Sequence, residues 1–123
     1  MEDVSLWVAQ ALLAVMFLLV GFGHVFRFDS FVARPRMGWG NDVGRTNMRV
    51  IGLLEMAGAI GVIVPAATGI LAWLTHLAAA GLALLMLVAA VFHLRRDEPV
   101  IGNLIFFAVA MVVVVGRIFV API

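Results

Sequence analysis

Strongly polar residues in this chain are bunched at a few places, and the stretches between them stay apolar for nearly the length that crosses a bilayer. The first such run goes from about Val4 to Phe26 and is interrupted only by Ser5, Gln10, glycines and His24. The second goes from about Val50 to Val64, stops at Pro65, and has a polar first turn reaching back to about Asn47. The third extends from about Ile70 to Leu94, where Arg95-Arg96-Asp97-Glu98-Pro99 ends it. The fourth covers about Val100 to Val120, with Asn103 and Arg117 as its strongly polar members. A hydrocarbon core about 30 Å thick takes roughly 20 residues of helix. The runs therefore predict four transmembrane helices, at about 4–26, 47–65, 70–94 and 99–120. Their continuous apolar character disfavours the alternation of a membrane β-barrel. Pro65-Ala-Ala-Thr-Gly69 has the composition of a turn joining antiparallel helices.

Composition supports the same class. Hydrophobic residues make up 65% of the 123 positions and charged residues 12%, against roughly 45–50% and 25% in soluble domains. The expected fold is all-α, an integral membrane four-helix bundle forming a single domain over 1–123 with no appended soluble domain. Met1-Glu2-Asp3 is acidic where a secretory signal is basic, and no small-residue cleavage site follows, so the first run is expected to stay as a helix.

Charge sets an expected orientation. Arg27, Arg34, Arg36, Arg45 and Arg49 lie between the first two runs, and Arg95 and Arg96 between the last two. The excess of arginine predicts that both loops are cytoplasmic and both termini outside, in a bacterial cytoplasmic membrane. An isoelectric point near 9.1 suits anionic lipid headgroups, and nothing points to nucleic acid. Trp7, Trp39 and Trp73 read as interfacial anchors, His76 as structural or interfacial, and Arg117 as a side chain that snorkels to the outer surface or meets a C-terminal carboxylate. The chain has no cysteine, which removes thiolate chemistry and cysteine-held clusters. No metal site is signalled.

One residue breaks the apolar second run. Glu55 stands in a stretch from Arg49 to Val64 that is otherwise apolar or glycine. A charged group at the centre of a membrane helix costs about 2.5–3.5 kcal/mol on insertion scales, so such groups face a partner, a cavity or a ligand. By helical rise Glu55 is roughly 9 Å beyond Arg49. His24, His93 and Asn103 lie toward the same end of the other three helices, so each span brings a polar group to that half of the bundle. Glu55, His93, His24, Arg49 and Asn103 are the candidate ligand-binding residues. Gly52, Ala59 and Val62 share the Glu55 face at helical spacing, which permits close helix approach. Three uses remain open: hydrogen bonding and proton handling on a lipophilic ligand, a membrane enzyme such as an isomerase or a haem b protein with His24 and His93 as paired axial ligands, and a structural or homo-oligomeric role in which Glu55 pairs with Arg49 or His93 to fix helix register.

Several stretches also carry a family resemblance: Met37-Gly-Trp39, Arg49-Val-Ile-Gly-Leu-Leu-Glu55, Gly61-Val-Ile-Val-Pro65, Thr68-Gly-Ile70, Leu74-Thr-His-Leu-Ala-Ala-Ala-Gly81, His93-Leu-Arg-Arg-Asp-Glu98 and Gly116-Arg117. In order and spacing they resemble the DoxX-like family of small four-helix membrane proteins. The family often has Gly-x-x-Lys at the end of its first helix, where this chain has Gly21-Phe-Gly-His24. The family takes its name from a membrane subunit associated with a thiosulfate:quinone oxidoreductase. The resemblance thus implies a four-helix bundle, an accessory role beside a membrane oxidoreductase, and quinone or another lipid as ligand.

Overall fold

The computed structural model describes residues 2–123, and every regular element among them is helical. Helix α1 covers Glu2–Phe26. Two short helices, α2 (Phe28–Val32) and α3 (Trp39–Val43), fold the first loop. Helix α4 (Arg45–Gly61) is followed by α5 (Val64–Thr68), α6 (Trp73–Arg95) and α7 (Ile101–Val115), and α7 ends in a π-helical turn at Gly116–Val120. Four stretches are long and apolar enough to cross a membrane: Glu2–Phe26, Arg45–Thr68, Trp73–Arg95 and Ile101–Val120. These spans match the four runs read from the sequence.

The helices form a ring in which α1 packs on α4 and α7, and α6 on α4 and α7. The start of α1, the 116–123 segment and the 69–72 turn sit at one end of the bundle, called here the terminal end. The segments 27–44 and 96–100 sit at the other, the loop end. Between them the core is made of side chains such as Leu13, Phe17, Val62, Leu82, Met86 and Val113, with Phe17 edge-on to Phe106 at 6.1 Å. Large apolar side chains such as Leu19, Leu53, Leu77, Leu84 and Val112 point outward, as a bundle surrounded by lipid requires.

Two expectations are corrected. The Pro65–Gly69 stretch is a helical turn, not the link itself: Pro65 sits in the first turn of α5, and the chain reverses after Gly69, whose φ of +72° suits glycine. Proline has no N–H to bond the carbonyl four residues back, and the break at Val62–Ile63 frees two carbonyls inside the bundle. The Thr75 hydroxyl donates to Gly61 O at 3.2 Å, and Gln10 Nε2 to Val62 O at 2.6 Å. In lipid such groups need internal partners, so the break is tolerated because α1 and α6 supply them.

The second correction concerns Arg117. It does not snorkel, being only 1% exposed. Its Nε donates to Gln10 Oε1 at 2.8 Å, and its Nη1 to Asp3 Oδ1 and to Ala121 O. The counter-charge is thus the carboxylate of Asp3 and not the chain terminus. The π-helical turn shifts the register at this point, and Gly116 lets it press against Leu6. Trp7 lies under the guanidinium, 5.3 Å from ring centre to Cζ, and the Arg117 carbonyl stands 3.3 Å from His76 Nε2.

Candidate functional site

Glycines on two helices bring the inner polar groups together. A Cβ on Gly21 would lie 2.7 Å from the Gly52 carbonyl oxygen, and a Cβ on Gly52 would lie 2.7 Å from that of Gly21. Helices α1 and α4 run antiparallel here, because Gln10 meets Val62 while Gly21 meets Gly52. Side chains lean toward the N-terminus of their own helix. Residues three positions past the crossing on each helix therefore lean back toward one another. Those residues are His24 and Glu55, and His24 Nδ1 stands 2.6 Å from Glu55 Oε1.

Both members are buried, His24 at 4% exposure and Glu55 at 2%. Glu55 therefore has His24 as its partner, and neither Arg49 nor His93. The other imidazole nitrogen, His24 Nε2, is buried and meets no hydrogen-bonding atom. A buried polar group without a partner is rare and expensive, by about 1–3 kcal/mol. An imidazole beside a carboxylate can take up a proton at Nε2 and hand the Nδ1 proton to the carboxylate, leaving two neutral groups.

The first loop closes this end of the bundle. Phe28 and Phe31 of α2 are buried against Met48, with Val32, Met37, Trp39, Val43 and Ile51 around them. Gly44, at φ +95°, lets α3 turn directly into α4. Phe31 stands edge-on to His24, with centroids 4.5 Å apart, and Trp39 stands 5.6 Å from Phe31 and 6.3 Å from His24. On its far side Trp39 meets His93 at 4.7 Å and Phe92 at 6.0 Å. Trp39 is thus an inward, half-buried wall, not a free interfacial anchor.

His93 forms a second imidazole–carboxylate pair nearer the surface. Its Nδ1 is 3.0 Å from Glu98 Oε1, which also accepts from Arg96 Nε at 3.0 Å. Arg96 reaches Asp42 of α3 at 2.7 Å, tying the two loops together. The hydrogen bond from His93 holds the Glu98 carboxyl below its ordinary range against the opposing effect of desolvation, with the Arg96 guanidinium adding to the lowering. Arg96 is raised in turn by Glu98 and Asp42.

Of the five residues singled out in the sequence, His24 and Glu55 are in direct contact, and His93 joins them through Trp39. Arg49 is exposed on α4, and Asn103 is half-buried with Nδ2 3.8 Å from Met86 Sδ. A bis-imidazole haem needs both rings to face one iron. Here the Trp39 indole stands against both rings, so the residues as arranged do not bring the two imidazoles to one iron. Among the described residues no group of three or more histidine or acidic side chains gathers for a metal ion. Phe31 and Glu98 escaped the sequence reading as site residues. Phe31 carried no signal beyond its place in the loop, whereas Glu98, five residues after His93, lay within a stretch singled out for family resemblance.

A family model described as the DoxX-like family matches residues 8–117. No curated protein and no solved structure matches the chain.

Proposed function

Because the chain belongs to the DoxX-like family and is an integral, multi-pass membrane protein, we propose that it is an accessory membrane subunit that binds a quinone, or a similar lipophilic carbonyl compound, at the His24–Glu55 pair. The observation that carries this reading is His24 Nε2: a buried nitrogen with no partner, backed by a carboxylate and flanked by two aromatic rings. A ligand oxygen beside that nitrogen satisfies it, and the Phe31 and Trp39 rings suit a flat apolar body. Glu55 fixes the imidazole and exchanges a proton with it. Electrons pass between the bound quinone and a membrane oxidoreductase partner, which meets the lipid-facing helices; a second copy of the chain is the other assembly the exposed faces allow. The chain works as one domain in a bacterial cytoplasmic membrane, with the arginine-bearing loops on the cytoplasmic face and the termini outside.

Native mass spectrometry of protein extracted in mild detergent from quinone-containing membranes tests the reading. A quinone adduct is expected on the wild type and absent from His24→Ala and Glu55→Gln, which still insert. Equal retention by these variants, or a bare wild type under conditions that keep lipid adducts, refutes it and favours the pair as a clamp on helix register.

A further inference from the structure

The His24–Glu55 pair is buried on every side, but its walls are not equally firm. Between α1 and α4 the wall is backbone: a Cβ on Gly21 or on Gly52 would lie 2.7 Å from the opposite carbonyl oxygen, which leaves no passage. Toward the terminal end the same two helices close on Leu13, Phe17, Ala59 and Val62 of the core. At the loop end the cover is made of two side chains, Phe31 of α2 and Trp39 of α3, standing edge-on to the imidazole. A group that reaches His24 Nε2 comes through this cover.

The two halves of the cover are held differently. Helix α2 is fixed to α4, since Phe28 and Phe31 are buried against Met48, and Arg45 lies over the Phe28 ring at 4.7 Å while pairing with Asp29. Helix α3 adds to that cluster only the half-buried Trp39 and Val43. It is five residues long, with Gly38 before it and Gly44 after it, and an added Cβ at either glycine would meet nothing within 4 Å. Its polar tie to the rest of the bundle is Asp42–Arg96, at 2.7 Å.

Arg96 is a shared group. Its Nε donates to Glu98, which also accepts from His93 Nδ1, and its Cζ stands 5.4 Å from the centre of the Phe92 ring. One guanidinium thus fastens α3 to the loop that joins α6 and α7. Both partners of the tie are partly exposed, Arg96 at 36% and Asp42 at 59%. A pair of that kind biases an equilibrium by about fivefold at most, enough to favour one position of a short segment and little enough to release it.

We propose that α3 is a gate over the His24–Glu55 pair, hinged at Gly38 and Gly44 and latched by Arg96. When the latch parts, α3 carries Trp39 off the imidazole while α2 stays in place, and His24 Nε2 opens to the loop end. The gate concerns access alone and holds whichever ligand the pair takes.

Diethyl pyrocarbonate acylates an imidazole nitrogen that has a free lone pair, so its rate at His24, read by peptide mass spectrometry of the protein in detergent, reports how often the nitrogen is uncovered. His76, at the terminal end, is the internal reference. His24 is expected to label about two- to fivefold faster in Asp42→Asn and Arg96→Ala than in the wild type. Gly38→Ala stiffens the hinge at a helical φ of −61° without crowding, and is expected to slow labelling by about two- to fivefold. His76 is expected to label alike in all four proteins. Hydrogen exchange reads which piece moves: amides of 39–43 are expected to exchange faster in Asp42→Asn, with those of 28–32 unchanged. Equal His24 rates in all four proteins, or no labelling of His24 in any, overturn the gate and leave α3 as a fixed cover. A joint rise of His24 and His76, or of 28–32 with 39–43, means that the bundle loosens as a whole and overturns it equally. Because the reagent is not the ligand, the gate can fail with quinone binding intact, and can stand with quinone binding lost.

Discussion

Replacing Gly21 by alanine inserts one methyl group where two helices touch through backbone. That carbon would lie 2.7 Å from the Gly52 carbonyl oxygen, 2.8 Å from Met56 Cγ and 3.2 Å from Glu55 Cβ. The Met56 side chain can move, whereas the Gly52 carbonyl is part of α4 and cannot move alone. Ordinary C···O approach is about 3.3–3.6 Å, so α1 and α4 must part by roughly 0.6–0.9 Å at the crossing. Added to the 2.6 Å His24–Glu55 separation, such a shift takes the pair out of strong hydrogen-bonding range. Overpacking of this kind costs about 1–3 kcal/mol, and loss of a hydrogen bond to an ionised group about 1.5–3 kcal/mol. Helix propensity returns about 1 kcal/mol for glycine to alanine. The balance is a loss of roughly 1.5–5 kcal/mol. Gly23→Ala is the matched control: it gains the same propensity on the same helix, and its Cβ meets nothing within 4 Å. Thermal unfolding in detergent should place Gly21→Ala well below the wild type and Gly23→Ala at or above it. If the two unfold together, the crossing is not what holds His24 against Glu55.

Three further outcomes follow from the same geometry. Arg117→Ala leaves the buried Gln10 Oε1 without its donor and should destabilise by about 1–3 kcal/mol, the exposed Asp3 carboxylate adding little, with Arg117→Lys recovering only part; a neutral effect in thermal unfolding would mean that the guanidinium sits in water or headgroups. Thr75→Val leaves the Gly61 carbonyl freed by Pro65 without its donor and should cost about 1–3 kcal/mol, whereas Thr75→Ser should stay near the wild type. Glu98 has a folded-state pKa below its ordinary 4.5, so its contribution is complete above that value and is lost as pH falls through the lower folded one. Acid titration of unfolding should therefore show a stability decline below about pH 4.5 that Glu98→Gln lacks; an identical slope in the variant would deny Glu98 the role.

Much of the architecture was legible because lipid imposes a simple rule: four long, predominantly apolar runs can be little else than four spanning helices. Glu55 stood out for the same reason, as a carboxylate where the solvent offers it nothing. Its partner did not stand out. Which histidine it meets depends on how closely two helices cross, and that closeness is set jointly by Gly21 and Gly52, thirty-one residues apart. Arg117 was misread because snorkelling is the usual fate of an arginine near a span end, whereas here a π-helical turn, Gln10 and Asp3 supply an interior alternative. Pro65 misled similarly, since proline both ends one helix and starts the next. Trp39 was read as an anchor because sequence cannot say that its loop folds back over the bundle.

The apolar layer between the two polar ends has an electrical consequence. From Ala11 to Gly23 helix α1 carries no polar side chain, and the fourteen residues separating Gln10 from His24 correspond to about 21 Å of helix. A layer of that depth is where most of a transmembrane voltage falls, at about 2.3 kcal/mol per charge for each 100 mV crossed. A proton that reaches Glu55 from the loop end and leaves the same way traverses little of this drop. Proton exchange at the pair, which the proposed role requires, would therefore be nearly voltage-independent, with the bundle itself acting as the insulator.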